Sequence, residues 1–395
     1  MIDSLDGQGT SAAATRDRAL DGLRVIAAFA VFLYHGVTVL GPVQFSHRHW
    51  NVFGMLGPIG VSIFFALSGY LLSMPFLSSR TKGVDGRRFV VRRLARILPA
   101  YWAALVAFLY VWDRVDVHGV GQVVTYFGLL QNYRFGMFTG GLDVAWTLVM
   151  EISFYAFLPV WFAIARVVDR RWPLLGWYRI HVVAASGLVL WGPLFRFWDL
   201  YHRPRGTIPS TGAWFDLSTI TLWLPGHIQH FAVGMLCAAL VHGGWRDRAS
   251  ATTRNRWRWC SVIASIGGVA CLVAVDIPPQ VLDGTRLQGL QFATAMTVAT
   301  SGVGYLVFVD RTEAVVRVLR LRPIAWIGQV SFGIYLWHRL IQMELADAFF
   351  SRSPTRSAGP MVVAWVLAVL LSVLAGAASF YLIERPAIRL GRRIR

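Results

Sequence analysis

The chain has 395 residues, with 38 Lys or Arg against 20 Asp or Glu, a formal net charge of +18, and 56% hydrophobic against 15% charged residues. Several apolar runs are long enough to cross a hydrocarbon core of ~30 Å, which excludes an ordinary soluble domain and implies an all-α, polytopic membrane helix bundle. The positive charge then reads as a topological signal with attraction to anionic lipid headgroups, not as a nucleic-acid footprint.

Residues 1–19 are polar and small, so they read as a disordered cytoplasmic tail ahead of a membrane domain over 20–395. They carry no apolar core or cleavage pattern, and the first span is not expected to be a removable signal peptide. That span, 22–43, contains Arg24 and His35. Eleven positions at ~100° each place the two side chains on one helix face, about 16 Å apart along the axis. Ionisable residues inside a membrane are costly and face the bundle interior, so this pair is the first functional candidate.

The second span, 54–78, holds Phe64-Phe65-Ala66-Leu67-Ser68-Gly69-Tyr70-Leu71. Its Ser-Gly pair lets another backbone approach, and Tyr70 offers a hydroxyl; helix packing explains the segment as readily as chemistry does. The loop before the third span, 97–112, ends in Arg92-Arg93-Leu94-Ala95-Arg96, then Pro99. Arg93 and Arg96 share a face at the bilayer surface, where guanidinium forks suit phosphate oxygens; interfacial anchoring is the competing explanation. Segment 120–132 is apolar but short, and reads as an outer-face or re-entrant element.

The fourth span, 144–165, opens with Trp146-Thr147-Leu148-Val149-Met150-Glu151-Ile152-Ser153-Phe154-Tyr155. A carboxylate such as Glu151, about two turns inside, must be neutral or partnered. Further spans are expected at 180–197, 219–242, 259–276, 287–309, 324–344 and 360–383. The ninth carries Gly333-Ile334-Tyr335-Leu336-Trp337-His338-Arg339, and the last closes on Glu384-Arg385-Pro386 at a membrane surface.

Ten spans return both termini to one side. With that side cytoplasmic, 28 of the 38 basic residues fall in cytoplasmic loops and span ends, in agreement with the positive-inside rule. Lys82 is the only lysine, which suggests a GC-rich, bacterial genome and hence a plasma-membrane location. Cys237, Cys260 and Cys271 lack paired or ligand-like spacing, so neither a disulfide framework nor a metal site is expected.

Taken in order, these segments resemble the acyltransferase family 3 integral membrane O-acyltransferases. The likeness runs from Leu20-Asp21-Gly22-Leu23-Arg24 through the Arg-ten residues-His pattern of Arg24 and His35, the Phe-Phe-x-x-Ser-Gly-Tyr segment, and Arg93, Arg96 and Pro99. It continues through Trp146-Thr147-Leu148 with Glu151, the His338 segment and the closing Glu-Arg-Pro, over about residues 18 to 392. The resemblance implies transfer of an acyl group, commonly acetyl, from cytoplasmic acyl-CoA to a hydroxyl of a carbohydrate, envelope glycan or glycosylated metabolite. Acyl-CoA would be a donor substrate, with no tightly bound cofactor. The hydrolase-like domain appended to some members is not expected here.

Under that resemblance Arg24, Arg93, Arg96 and Arg385 pair with coenzyme A phosphates, and His35 is the general base, a role that suits imidazole. Glu151 orients an imidazole or the acceptor, while Ser68, Tyr70, Trp146 and His338 contact the acceptor or the developing oxyanion. The rival class is a proton-coupled transporter, which also uses intramembrane Arg, His and Glu. No internal repeat between the halves supports it.

Overall fold

The computed structural model describes residues 6–41, 50–112, 117–138, 140–202, 221–274, 313–351 and 358–393, with isolated positions at 297, 301–302 and 304. The regular elements among them are helical, as a chain that must satisfy its own backbone in lipid requires. In chain order they are α1 (Asp6–Val39), α2 (Trp50–Ser78), α3 (Gly86–Val106), α4 (Gly119–Phe127), α5 (Trp146–Arg171), α6 (Trp177–His202) and α7 (Leu224–His242). Then follow α8 (Trp245–Arg248), α9 (Ala251–Ala274), α10 (Ala314–Leu319), α11 (Arg322–Phe350), α12 (Ala358–Ser379) and α13 (Arg385–Arg393). Helix α1 begins at Asp6, inside the stretch that reads as a tail.

Seven of the described segments are long and apolar enough to cross a membrane: Arg18–Val39, Leu56–Ser78, Gly86–Val111, Asp143–Arg171, Trp177–Phe195, Leu224–His242 and Ala358–Arg393. Each corresponds to one of the ten expected spans. Helix α11 overlies an eighth and, at 29 residues, is ~43 Å long. It carries Arg322, His338, Arg339, Glu344 and Asp347, and this polarity keeps it outside the apolar set. Helix α9 opens with Arg254, Arg256 and Arg258, and the span expected at 287–309 lies outside the described residues apart from isolated positions. Helix α4 has nine residues, too few to span a bilayer.

The chain divides into two compact units. The first comprises Met1–Leu67 with Arg246–Ala377, and the second Ser68–Trp245 with Ala378–Arg395. In the first unit, α1 is gripped by close backbone approaches that only glycine permits. A Cβ on Gly328 of α11 would lie 2.0 Å from the Asp21 carbonyl oxygen, one on Gly22 2.4 Å from that of Leu319, and one on Gly60 of α2 2.5 Å from that of Ala27. Farther along, Phe32, Leu40, Leu345, Ala364 and Ala368 form a buried cluster joining α1, α11 and α12. Gln342 donates to the Phe32 carbonyl at 3.0 Å within it.

In the second unit, the core is aromatic. Phe154 stacks on Phe231 at 4.2 Å between centroids and Phe76 on Phe162 at 4.9 Å, which ties α5 to α7 and to the end of α2. Gly69 meets α7 directly: a Cβ there would lie 1.9 Å from the Phe231 carbonyl oxygen. The small Ser-Gly pair thus serves the backbone approach that its size implies. Asp85 caps α3 by accepting the Arg88 N–H at 3.0 Å. In the same connection, Arg80 forks onto Asp169 at 2.8 and 3.0 Å, joining the ends of α2 and α5. Near the end of α4, burial pushes the Tyr126 hydroxyl pKa above its ordinary value, with Arg134 acting in the opposite sense. Tyr126 therefore stays protonated at neutral pH and donates to the Met137 sulfur at 3.4 Å.

Candidate functional site

In the first unit, the close packing of α1 on α11 brings together two imidazoles 303 residues apart. His35 Nδ1 lies 2.9 Å from His338 Nε2, with ring centroids 5.0 Å apart. His338 is buried, and its Nδ1 faces the carbonyl oxygens of Tyr335 at 2.8 Å and Ile334 at 3.2 Å. A carbonyl only accepts, so His338 carries its proton on Nδ1. With the rings neutral, His338 Nε2 is then an acceptor and His35 Nδ1 the donor to it. That assignment leaves the lone pair of His35 on Nε2. Phe32 and Tyr335 rings flank His338, with centroids 6.1 and 5.9 Å away, and the Arg339 guanidinium lies within electrostatic reach of His35. Lower on α1, Arg24 donates to Asp21 one turn earlier, next to the place where Gly328 seats α11 against Asp21.

The second unit gathers the carboxylate and the arginines. Glu151 Oε1 accepts hydrogen bonds from Ser68 Oγ at 3.1 Å and from the Tyr155 hydroxyl at 2.6 Å. Tyr155 is buried one helical turn after Glu151, and both Arg93 and Arg96 lie within electrostatic reach of its hydroxyl. Arg93 also sits over the Phe89 ring, 5.5 Å from its centroid. Glu151 Oε1 thus has two hydroxyl donors, and the nearer of the two, Tyr155, lies in the field of both arginines.

A sixth group, Glu384, completes this cluster. It is 1% exposed, accepts from Ser379 Oγ at 3.2 Å, and has Arg96 as its charged neighbour. It sits in a single π-helical turn, Phe380–Glu384, at the end of α12. Arg385, the next residue, is exposed and lies over Tyr381 with its guanidinium 5.8 Å from the ring centroid. Tyr70 is 1% exposed in the interior of α2. Trp146 is the first residue of α5 and packs between Phe138 and His227, 5.5 Å from each ring centroid.

Tyr155 and Glu384 belong to the arrangement, although the sequence alone does not single them out. Both stand inside family motifs, Tyr155 four positions after Glu151 and Glu384 directly before Arg385. The i, i+4 spacing from Glu151 to Tyr155 is the available signal, since such pairs face each other on a helix. For Glu384, nothing local announces that Arg96 is its neighbour.

The acyltransferase 3 family model, an acyltransferase domain, matches residues 17–382. The chain belongs to this acyltransferase family. Among its relatives, the peptidoglycan O-acetyltransferase OatA of Listeria monocytogenes is 24% identical over 81% of this chain and 48% of its own length. The acyltransferase MdmB of Streptomyces mycarofaciens is 27% identical over 95% of this chain and 92% of that protein. The exopolysaccharide production protein ExoZ of Rhizobium meliloti is 26% identical over 85% and 91% respectively. The chain spans about half the length of the first relatives it matches, 54% and 48%, and nearly all of the latter two. No solved structure matches it. The acyltransferase family match covers both histidines, Glu151 and the Arg93/Arg96 pair, and ends two residues before Glu384.

Proposed function

We propose that the chain is a membrane-embedded O-acyltransferase that moves an acyl group, acetyl by preference, from cytoplasmic acyl-CoA to a hydroxyl of a glycan or glycosylated metabolite. In this reading ten helices cross the plasma membrane with both termini cytoplasmic, and acyl-CoA is a passing substrate, not a resident cofactor. The names of the relatives support a glycan or natural-product acceptor, and the basic bias of the loops supports the orientation.

The observation that carries the reading is the imidazole relay. His338, held by the Tyr335 carbonyl, accepts the Nδ1 proton of His35 in a hydrogen bond and leaves His35 Nε2 as a base. Nε2 takes the proton of the acceptor hydroxyl as its oxygen attacks the thioester carbonyl. The new C–O bond forms, the C–S bond breaks, and the proton passes to the departing coenzyme A thiolate. An imidazole fits because one ring nitrogen can accept a proton and return it while the other stays hydrogen-bonded. His338 thereby acts on His35 as an orienting group acts on a catalytic histidine in other acyl transfers. Arg339 places positive charge beside His35, where an oxyanion develops.

Arg93 and Arg96 are assigned to the donor phosphates, with Arg24 and Arg385 as further donor contacts. Glu151, anchored by Ser68 and Tyr155, holds the arginine pair in a fixed field or orients the acceptor. Tyr70 and Trp146 remain assigned to acceptor or oxyanion contacts. The test is release of coenzyme A thiol from acetyl-CoA by the purified chain in nanodiscs, with acceptor-dependent turnover in native envelope extract. Wild-type protein that neither binds nor consumes acetyl-CoA would overturn the reading.

A further inference from the structure

One helical turn beyond His338, on the same face of α11, stands Gln342. It is fully buried beside the apolar cluster of Phe32, Leu40, Leu345, Ala364 and Ala368. Its Nε2 donates at 3.0 Å to the Phe32 carbonyl of α1, three residues before His35, and its Oε1 has no partner among the described residues. A buried amide oxygen left unpaired opposes folding, so stability alone does not account for a glutamine among these apolar side chains.

The backbone of α1 is open where the amide enters. Gly36, the residue after His35, supplies the opening: a Cβ there would lie 3.2 Å from Gln342 Nε2 and 2.4 Å from Cη2 of Trp365. Trp365 closes the seat from α12, with its ring edge-on to Phe32 at 6.1 Å between centroids and its indole N–H donating to the Gly41 carbonyl at 3.3 Å. Two polar contacts therefore join α1 to α11 one turn apart, the amide to Phe32 at 3.0 Å and His35 to His338 at 2.9 Å.

Apolar side chains hold the two helices together but tolerate rotation, because hydrophobic contact is non-directional. A rotation of α11 by ~10° would carry a ring atom ~5 Å from its axis through about 1 Å, which breaks a hydrogen bond of ordinary length. The amide one turn away resists that rotation, as a single buried polar side chain fixes register in a coiled coil. We infer that Gln342 is a positioning residue for the imidazole pair, holding α11 at the rotation where His338 Nε2 meets His35 Nδ1. The inference rests on the acyltransfer reading and adds to its site a residue that touches neither substrate nor the reacting atoms.

The experiment is a double-mutant cycle between Gln342 and His338 on the full chain in nanodiscs, read by steady-state thiol release from acetyl-CoA and by nitrogen-15 NMR of labelled histidines. Gln342→Met keeps the length of the side chain and removes the donor. Its kcat should fall about 10–100-fold while KM for acetyl-CoA stays within about twofold of wild type. Gln342→Glu, whose protonated carboxyl can donate to the Phe32 carbonyl, should recover part of that loss. On a His338→Ala background, Gln342→Met should change kcat by less than about twofold, since the group it positions is gone. In the spectra, the His338 Nε2 signal should carry the displacement of a hydrogen-bond acceptor in wild type and lose it in Gln342→Met. Effects that multiply across the cycle, an unmoved imidazole signal, or a lowered unfolding temperature at unchanged kcat would assign the amide to helix association and overturn the inference. Should Gln342→Met fail to insert, Gln342→Asn, one methylene too short to reach Phe32, takes its place, and failure of both also overturns it. Wild-type protein that releases no thiol would instead reject the acyltransfer reading, and the imidazole spectra would still decide whether Gln342 holds the pair.

Discussion

At the scale of the residue, the tautomer chain makes an asymmetric demand on the two histidines. His35 presents the basic nitrogen, whereas His338 orients it from behind. His35→Ala should lower turnover by about 10²–10⁴-fold, the usual contribution of a general base, at unchanged membrane insertion. His338→Ala should lower it less, because His35 retains its lone pair but loses its fixed orientation. Steady-state thiol release on both variants decides this, and equal effects would remove the distinction between base and positioner. The arginines make a separate demand. Replacing Arg93 and Arg96 together with Gln should weaken binding of a non-hydrolysable acyl-CoA analogue and flatten its salt dependence, because charge pairing with phosphate is the part of the affinity that salt screens. An unchanged affinity and slope would take the pair out of the donor site. Glu151 is legible in the sequence as a carboxylate that must be neutral or partnered. The structure supplies two hydroxyls at its Oε1, because Ser68 and Tyr155 stand on the helix faces turned toward it.

At the scale of the element, helix seating depends on a few glycines more than on the long apolar faces. Where Gly69 meets Phe231 and Gly328 meets Asp21, an added Cβ would fall 1.9 and 2.0 Å from a backbone oxygen, so the helices must separate. Gly69→Ala and Gly328→Ala should each destabilise the folded protein by about 1–3 kcal/mol, the range for overpacking. Gly187, on an open face of α6, has nothing within 4 Å of such a Cβ. Gly187→Ala should be neutral or raise stability by less than ~1 kcal/mol through helix propensity. Thermal unfolding of the three variants in one detergent provides the comparison. Similar destabilisation at all three positions would show that close helix approach does not govern the cost. The Ser68-Gly69 pair is readable as a close-approach site, but α7 as its partner is not, since Phe231 lies far along the chain.

At the scale of the whole molecule, orientation follows from where the basic residues lie. On a background without native cysteines, Asp85→Cys should be protected from an impermeant thiol reagent in intact cells and labelled after lysis. Val120→Cys, 78% exposed at the start of α4, should be labelled in intact cells. The reverse pattern would invert the topology. A probe at Gly140 would confuse the result, because a Cβ there would lie 1.9 Å from the Tyr126 hydroxyl.

Composition and hydropathy by themselves determined that this is a helical membrane protein, because a bilayer admits so few ways of satisfying the backbone. Helical periodicity placed Arg24 and His35 on one face of α1, and the ordered motifs were enough to reach the family. Each of these depends on residues close in sequence or on patterns repeated along it. The partner of His35, the hydroxyls on Glu151 and the carboxylate beside Arg96 were decided only in the tertiary structure. Periodicity states which face a residue occupies, whereas contact between helices depends on their rotation and spacing. Those are set by glycines meeting distant backbone atoms, as at Gly328 and Gly69, and no local pattern encodes such meetings.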